Sequence, residues 1–220
     1  MVVRTGCGTI RPSEFSGGQL RIRGSVTDAD TAGSFVKAMD DHIALAQRVR
    51  EELGMSFRRM RDVWNHCISN GGKILFFGNG GSADQAQHFA AELVVKLKVE
   101  RTAIPAMALT TDTSIITAAG NDFGFEHIFS RQIEALGRPG DVALALSTSG
   151  RSPNVIRALK VANDRGLVTA GLTGGDGGEV TKIARHVMVI PDRDTGRIQE
   201  MHLVIGHLLC AELERSVMRD

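Results

Sequence analysis

The chain has 220 residues, of which 42% are hydrophobic and 23% are charged, and its formal net charge is +1. This composition is typical of a globular chain and argues against wholesale disorder. The near-neutral charge offers no electrostatic footprint for nucleic acid or anionic lipid, and no apolar run approaches the roughly 18 residues that a membrane span needs.

Residues 1–30 show scattered glycines and arginines and no helical or strand period, which predicts a poorly ordered extension before one domain over residues 31–220. No apolar block typical of a secretory signal follows the first charge, and acidic residues argue against a transit peptide. Three cysteines lie far apart without a CxxC pair, which indicates reduced intracellular thiols (Cys7, Cys67 and Cys210).

From residue 31 the apolar residues recur at helical spacing, and two helices are predicted before the first strand. The first stripe consists of Phe35, Met39, Ile43, Ala46, Val49 and Leu53, and the second of Phe57, Met60, Trp64 and Cys67. These stripes have two interpretations, core packing or a subunit interface, and the sequence leaves both open.

After Gly72, short apolar runs alternate with segments of helical length. The predicted strands are 73–77, 106–109, 141–146, 167–172 and 186–190, and the predicted helices are 83–98, 113–136, 153–164, 178–184 and 195–218. Continuous apolar strands separated by helices are typical of a parallel sheet covered on both faces. The fold prediction is therefore α/β: a doubly wound five-stranded parallel sheet with amino-terminal helices and a long carboxy-terminal helix.

The first strand leads into the glycine-rich stretch 78–83 (GNGGSA) and then a helix. Backbone N–H groups in such a loop, together with the helix N-terminus, favour an anion. The spacing of Gly78, Gly80 and Ala83 also satisfies a loose dinucleotide fingerprint. That interpretation needs an acidic residue closing the second strand, and Asp112 comes late, so nicotinamide binding is disfavoured.

The third strand leads into STSGRSP, which places four hydroxyls beside a predicted helix start: Ser147, Thr148, Ser149 and Ser152. Ser152 suits the N-cap and Pro153 the first helical position. Turn and cap chemistry explains one or two of these hydroxyls, whereas a cup for a phosphate monoester explains all four. The lysine of a nucleoside triphosphate loop is absent from this stretch.

Two helices carry polar pairs. His88 and Glu92 are one turn apart and share a helical face, whereas Gln199 and His207 are separated by about 12 Å of rise. A His-Glu pair on a helix is most often solvated, but this one follows directly from a candidate phosphate loop. Zn²⁺ could accept all four side chains, although an amide oxygen is an uncommon ligand.

At these residues the chain resembles a known family. The segments GNGGSADQAQHFAAEL (78–93), the stretch 109–142, STSGRSPN (147–154) and RIQEMHLVIGH (197–207) resemble phosphoheptose isomerases, enzymes of the sugar isomerase (SIS) fold. The resemblance implies conversion of D-sedoheptulose 7-phosphate to D-glycero-D-manno-heptose 7-phosphate through an enediol(ate), the first step of activated heptose biosynthesis. It also implies a cytoplasmic homotetramer with active sites shared between subunits, and one Zn²⁺ per subunit.

The same resemblance implies residue roles. Glu92 and His207 match the acid/base pair, and His88, Glu92, Gln199 and His207 match the zinc positions. The implied substrate contacts are Asn79, Gly80, Gly81, Ser82, Glu92, Asn121, Asp122, Ser147, Thr148, Ser149, Ser152 and Gln199. Gly196 departs from the pattern, since relatives often carry another small or polar residue there.

Two non-catalytic alternatives use the same fold: a protein that binds the bacterial replication initiator, and a sugar-phosphate sensor. The initiator-binding group has lost parts of the His/Glu and terminal-His set, whereas this chain keeps all four residues. The sensor use occurs in repressors, and no DNA-binding module precedes the domain in this sequence. Both features favour the enzyme.

Overall fold

The computed structural model describes residues 28–218. Of the extension predicted over residues 1–30, residues 1–27 lie outside the described residues. Residues 28–30 belong to the first helix. Residues 28–39 and residues 40–218 belong to two different units, and the second unit contains the whole sheet. None of the described helices is both long and apolar enough to cross a membrane.

Five strands form one parallel sheet in the order β2-β1-β3-β4-β5. The strands are β1 (Ile74–Gly78), β2 (Ala106–Ala108), β3 (Val142–Ser147), β4 (Val168–Gly174) and β5 (His186–Ile190). The helices are α1 (Asp28–Glu52), α2 (Gly54–Ser69), α3 (Gly81–Val94), α4 (Thr113–Phe123), α5 (Ser130–Leu136), α6 (Pro153–Asp164), α7 (Val180–Ile183) and α8 (Thr195–Val217). The predicted fold class is confirmed.

Alternate residues of the central strands enter two separate hydrophobic clusters, one on each face of the sheet. In β1, Ile74 and Phe76 pack with residues of α2, α3 and α8, whereas Leu75 and Phe77 pack with residues of α4, α5 and α6. All four side chains are fully buried. A sheet buried on both faces explains why its strands read as continuous apolar runs in the sequence.

The single helix predicted over 113–136 is wrong. The structure ends α4 at Phe123, continues with a short 3-10 helix (Phe125–His127), and begins α5 at Ser130. The break follows from Gly124, whose φ of 93° lies in the left-handed region that glycine adopts without steric cost. Asn121 and Asp122, two of the predicted substrate contacts, consequently lie in the last turn of α4.

The apolar stripe of α1 divides within residues 40–218. Ala46, Val49 and Leu53 are partly buried against the core, whereas Ile43 is 51% exposed. The second stripe is largely core, since Met60, Trp64 and Cys67 of α2 are buried. Core packing therefore accounts for α2 and for the end of α1, but not for Ile43.

Candidate active site

The strand order places a crevice at the carboxyl ends of β1 and β3. From β1 the chain crosses to β2 on one side, and β3 then pairs with β1 on the other side. In open α/β sheets ligands bind at such a reversal of strand order. Both glycine- and serine-rich loops predicted to bind an anion, residues 78–82 and 147–152, open at this crevice.

Two asparagines join these loops. Asn79 donates its side-chain N–H to Oδ1 of Asn154 at 2.9 Å, and Asn154 donates to Oδ1 of Asn79 at 2.8 Å. Asn154 is buried, and its Oδ1 also accepts from the backbone N–H of Val155. The amide of Asn79, predicted to contact substrate, is thus engaged in holding the two loops together, and sequence reasoning missed the partner.

The serine loop (residues 147–152) keeps its hydroxyls together at the start of α6. The Oγ atoms of Ser147 and Ser152 are 3.5 Å apart, and Ser149 Oγ accepts the Arg151 backbone N–H at 3.2 Å. Ser152 occupies the predicted N-cap position, but its side chain makes no capping hydrogen bond. The Ser152 hydroxyl therefore donates and accepts no hydrogen bond with the first turn of α6. Ser82, the fifth hydroxyl, is buried at the start of α3.

A cavity of about 350 Å³ adjoins this loop, and two arginines that sequence reasoning missed line it. It is lined by Thr148, Ser149, Arg151, Asp176 and Arg193, among others. The Arg151 guanidinium donates to Asp176 at 2.6 Å, and this hydrogen bond is the main cause that lowers the pKa of Asp176 to about 2. Among the described residues, Arg193 has no carboxylate within ion-pairing distance.

Helices α3 and α8 lie side by side and run in the same direction. Near their starts, Gln85 donates to the backbone carbonyl of Gln199 at 2.6 Å. Further along, a Cβ on Gly206 would lie 2.1 Å from the Phe89 ring, so the absence of a side chain at Gly206 is what allows the close approach. This pairing brings polar residues of the two helices onto one line of contact.

His88, Glu92 and His207 converge on that line. The Nε2 atoms of His88 and His207 are 2.9 Å apart, and each lies 3.1 Å from Oε1 of Glu92. The two imidazoles are partly exposed, whereas the Glu92 side chain is only 10% exposed. Three atoms so close together can share a proton or hold a cation.

The second carboxylate oxygen of Glu92 faces the protein interior. This Oε2 is buried and receives no N–H or O–H donor among the described residues. Cys210 lies one turn after His207, and burial first, then the charge of Glu92, raises the pKa of its thiol. The inner side of the carboxylate is therefore enclosed, and its outer oxygen carries the contacts with both histidines.

A buried ion pair holds the end of α3 against α8. Arg101 donates to the backbone carbonyls of Glu92 at 2.8 Å and Leu93 at 2.7 Å, and its Nε lies 3.4 Å from Oε1 of Glu214. Both charged side chains are 3% exposed. Because Arg101 satisfies carbonyls at the helix C-terminus that carries Glu92, it orients the backbone at that residue.

Three further predicted site residues are Gln199, which lies at the glycine-rich loop, and Asn121 and Asp122, which lie on α4. Gln199 places its amide against Gly81, so close that a Cβ on that glycine would lie 2.7 Å from Nε2. Asn121 donates to Asp122 at 2.7 Å at the end of α4, where both are exposed. Among the described residues, the side chains of Gln199, Asn121 and Asp122 form no hydrogen bond with the serine loop or with His88, Glu92 and His207.

Comparison with known proteins agrees with this geometry. A family model described as the SIS domain matches residues 39–174. A phosphoheptose isomerase of Paramagnetospirillum magneticum is 58% identical over 158 residues, which cover 72% of this chain and 82% of that protein. One from Aquifex aeolicus is 57% identical over 151 residues, 69% of this chain and 79% of its own length.

Solved structures give the same result. The structure of a phosphoheptose isomerase from Neisseria gonorrhoeae matches with a TM-score of 0.79 at 40% identity, covering 84% of this chain and 99% of that one. A phosphoheptose isomerase from Francisella tularensis matches with a TM-score of 0.78 at 33% identity, covering 86% and 99%. The chain belongs to the phosphoheptose isomerase family of SIS-domain proteins.

Proposed function

We propose that this protein is an aldose–ketose isomerase that converts D-sedoheptulose 7-phosphate to D-glycero-D-manno-heptose 7-phosphate in the cytoplasm. The observation that carries the proposal is that His207 of α8 lies 3.1 Å from Glu92, on helix α3, which begins at the glycine-rich loop. His88 and Glu92 lie two to three turns from Gly81, about 10–17 Å along α3. That separation suits an open seven-carbon sugar with its phosphate at the far end.

The serine loop is the proposed grip for the phosphate. Its hydroxyls and the N-terminus of α6 supply donors without net charge, which suits a monoester that must be released after reaction. Arg193 is the proposed countercharge, because it lines the adjoining cavity while Arg151 is neutralised by Asp176. Binding the remote phosphate orients the reacting end of the chain.

The proton transfers are assigned to Glu92 and His207. The isomerisation moves a proton from C1 to C2 and exchanges protons between O1 and O2 through a cis-enediol(ate). Glu92 takes the carbon-bound proton on Oε1 and returns it to the neighbouring carbon. His207 Nε2 exchanges protons with the sugar oxygens, and the contact with His88 Nε2 at 2.9 Å lets the two imidazoles share a proton.

The same side chains fit Zn²⁺. Ligand atoms at about 2.1 Å from a tetrahedral ion lie roughly 3.4 Å from one another. The three atoms of His88, Glu92 and His207 are separated by 2.9 and 3.1 Å, close to that value. These three residues would hold the ion, whereas Gln199, the fourth predicted ligand, has its amide against Gly81, about 10–17 Å along α3 from His88 and Glu92. When bound, Zn²⁺ supplies Lewis-acid polarisation of the sugar oxygens.

We further propose a homotetramer in which neighbouring subunits complete each site. Apolar side chains flank His88 and His207 while remaining exposed on the single chain: Val94, Val95, Val204 and Leu208. Ile115 and Phe123 are likewise exposed on α4, which carries Asn121 and Asp122. Such a patch is typical of a subunit interface. Asn121 and Asp122 would then contact substrate held by another subunit.

One assay tests the activity. Purified protein is incubated with D-sedoheptulose 7-phosphate, and the aldoheptose phosphate is detected by NMR. Product formation by the wild-type protein, absent in the Ser149→Ala/Ser152→Ala variant, supports the proposal. Binding of the sugar phosphate without turnover, with and without added Zn²⁺, would instead support a sensor and overturn the enzymatic proposal.

A further inference from the structure

The opposite edge of the sheet contains a second cavity, which the proposed reaction does not use. It has a volume of about 420 Å³ and lies where β4 and β5 begin, beside α2. Its lining includes Arg59, His66, Val63, Val168, Arg185 and His186. Because the candidate active site lies at the carboxyl ends of the strands, this amino-edge cavity is a separate place on the molecule.

The amino-edge cavity is rich in cationic groups. Arg59 from α2 and Arg185 before β5 are permanently charged, and their charges lie close enough to His186 to lower the pKa of its imidazole, after burial as the main cause. His66 supplies a second imidazole. Arg59 and Arg185, which are both exposed, therefore bring cations from separate segments of the chain to one open cavity.

These cations are not neutralised by neighbours. Asp62 is the one carboxylate in the lining, and it accepts two hydrogen bonds from Arg61, at 2.7 and 3.0 Å. Among the described residues, no carboxylate lies within ion-pairing distance of Arg59 or Arg185. The Arg59 guanidinium donates its one side-chain hydrogen bond within the described part of the chain to the Met55 sulfur, at 3.4 Å.

The cavity also has an apolar wall. Val63 and Val168 line it, and Cys67 closes its inner side. Its volume lies within the range of about 300–1,000 Å³ that is common for small-molecule sites and far exceeds the need of an inorganic ion. A ligand that fits both features carries an anionic group and an apolar body.

We infer that the amino-edge cavity is a second ligand site, which binds an organic phosphate with the phosphate between Arg59 and Arg185 and its apolar part against Val63 and Val168. Guanidinium groups bind phosphate through paired N–H donors, and relief of their mutual repulsion adds to the affinity. This site is distinct from the serine loop and does not depend on turnover at that loop.

Phenyl phosphate is the probe, with phenol and inorganic phosphate as comparison ligands, and binding is measured by isothermal titration calorimetry. The wild-type protein is expected to bind two equivalents of phenyl phosphate. The serine-loop variant Ser149→Ala/Ser152→Ala is expected to keep the amino-edge equivalent, so that failure at the serine loop is distinguishable from failure here. Phenol and inorganic phosphate are expected to bind the cavity at least 10-fold more weakly.

The decisive variant is Arg59→Gln/Arg185→Gln, with Arg48→Gln/Arg58→Gln as a control that makes the same change in net charge on exposed arginines outside the lining. The first variant is expected to weaken the affinity of the amino-edge cavity for phenyl phosphate at least 10-fold, and the control to leave that affinity unchanged. Equal weakening in both, or none in either, overturns the inference. Independently of folding, NMR titration of His186 in the wild-type protein must show its pKa rise when phenyl phosphate is added; an unchanged pKa also overturns it.

Discussion

Glu92 is the residue on which the proposed chemistry depends most. Glu92→Gln keeps the shape of the side chain and removes the charge, so a carbon-bound proton has no acceptor. We expect kcat to fall by about 10²- to 10⁴-fold, the range of a general base, with KM changed only a few-fold because the phosphate grip is intact. Steady-state kinetics with the sugar phosphate measure both.

Glu134→Gln is the matched control for that substitution. Glu134 forms an exposed pair with Arg131 on α5 at 2.8 Å, so its loss is expected to leave kcat and KM unchanged. Near-normal turnover of Glu92→Gln would remove Glu92 from the role of base.

His202 links stability to pH. It is fully buried with Nε2 at 3.1 Å from the Thr173 carbonyl, and burial lowers its pKa from 6.5 to about 4. Below pH 6.5 the His202 imidazole is protonated in the unfolded chain, whereas in the folded chain it stays neutral down to about pH 4. Stability is therefore expected to fall across this window, by about 3 kcal/mol in total.

Urea unfolding between pH 7 and pH 4 measures this effect. His202→Gln is expected to lose this part of the pH dependence, whatever its stability at pH 7, whereas His66→Gln, on an exposed histidine of α2, is expected to keep it. A His202→Gln curve parallel to the wild-type curve would contradict the assignment.

At the scale of elements, the approach of α3 to α8 sets the site geometry. Gly206→Ala would place a Cβ 2.1 Å from the Phe89 ring, and the two helices would have to separate. We expect destabilisation by about 1–3 kcal/mol together with loss of turnover, because His207 follows Gly206 directly. Thermal unfolding and the isomerase assay measure the two effects.

Gly120→Ala provides the comparison, since a Cβ there meets its nearest neighbour, on Ile128, at an ordinary 3.9 Å. It is expected to retain wild-type stability or gain slightly, because alanine favours the helix. If Gly206→Ala kept full activity, the close contact of the two helices would not control the site.

The sequence predicted most elements because local signals mark them. β5 and α6 have the predicted bounds, and Pro153 marks the start of α6. The split at Gly124 was missed, because a glycine inside a helical pattern is often tolerated and its φ depends on tertiary packing.

Site residues that form long-range pairs were harder to predict. His88 and Glu92 share a helical face and follow the glycine-rich loop, so spacing suggested that pair. The pairing of Glu92 with His207, on another helix, was implied by the family resemblance and not by spacing. Asn154 and Arg101 act through partners distant in sequence, and no local pattern names those partners.

At the scale of the whole molecule, the proposed tetramer makes activity depend on assembly. Leu208 lies one residue after His207 and is 52% exposed on the single chain. Leu208→Glu would bury a charge in the proposed interface, so we expect dissociation to smaller species and loss of turnover. Light scattering coupled to size-exclusion chromatography measures the mass, and Met218→Glu, 57% exposed near the end of the same helix, is the control.

The paired amides of Asn79 and Asn154 bear on how the protein ages. Asn79 precedes Gly80, and a backbone nitrogen followed by an unhindered glycine Cα attacks an asparagine amide readily, with loss of ammonia; water then opens the succinimide to aspartate or isoaspartate. Such an aspartate would bring a carboxylate oxygen against Oδ1 of Asn154, where an N–H donor now stands. Repulsion would replace one of the two bonds that join the loops, so slow chemical damage at a single amide would open the crevice.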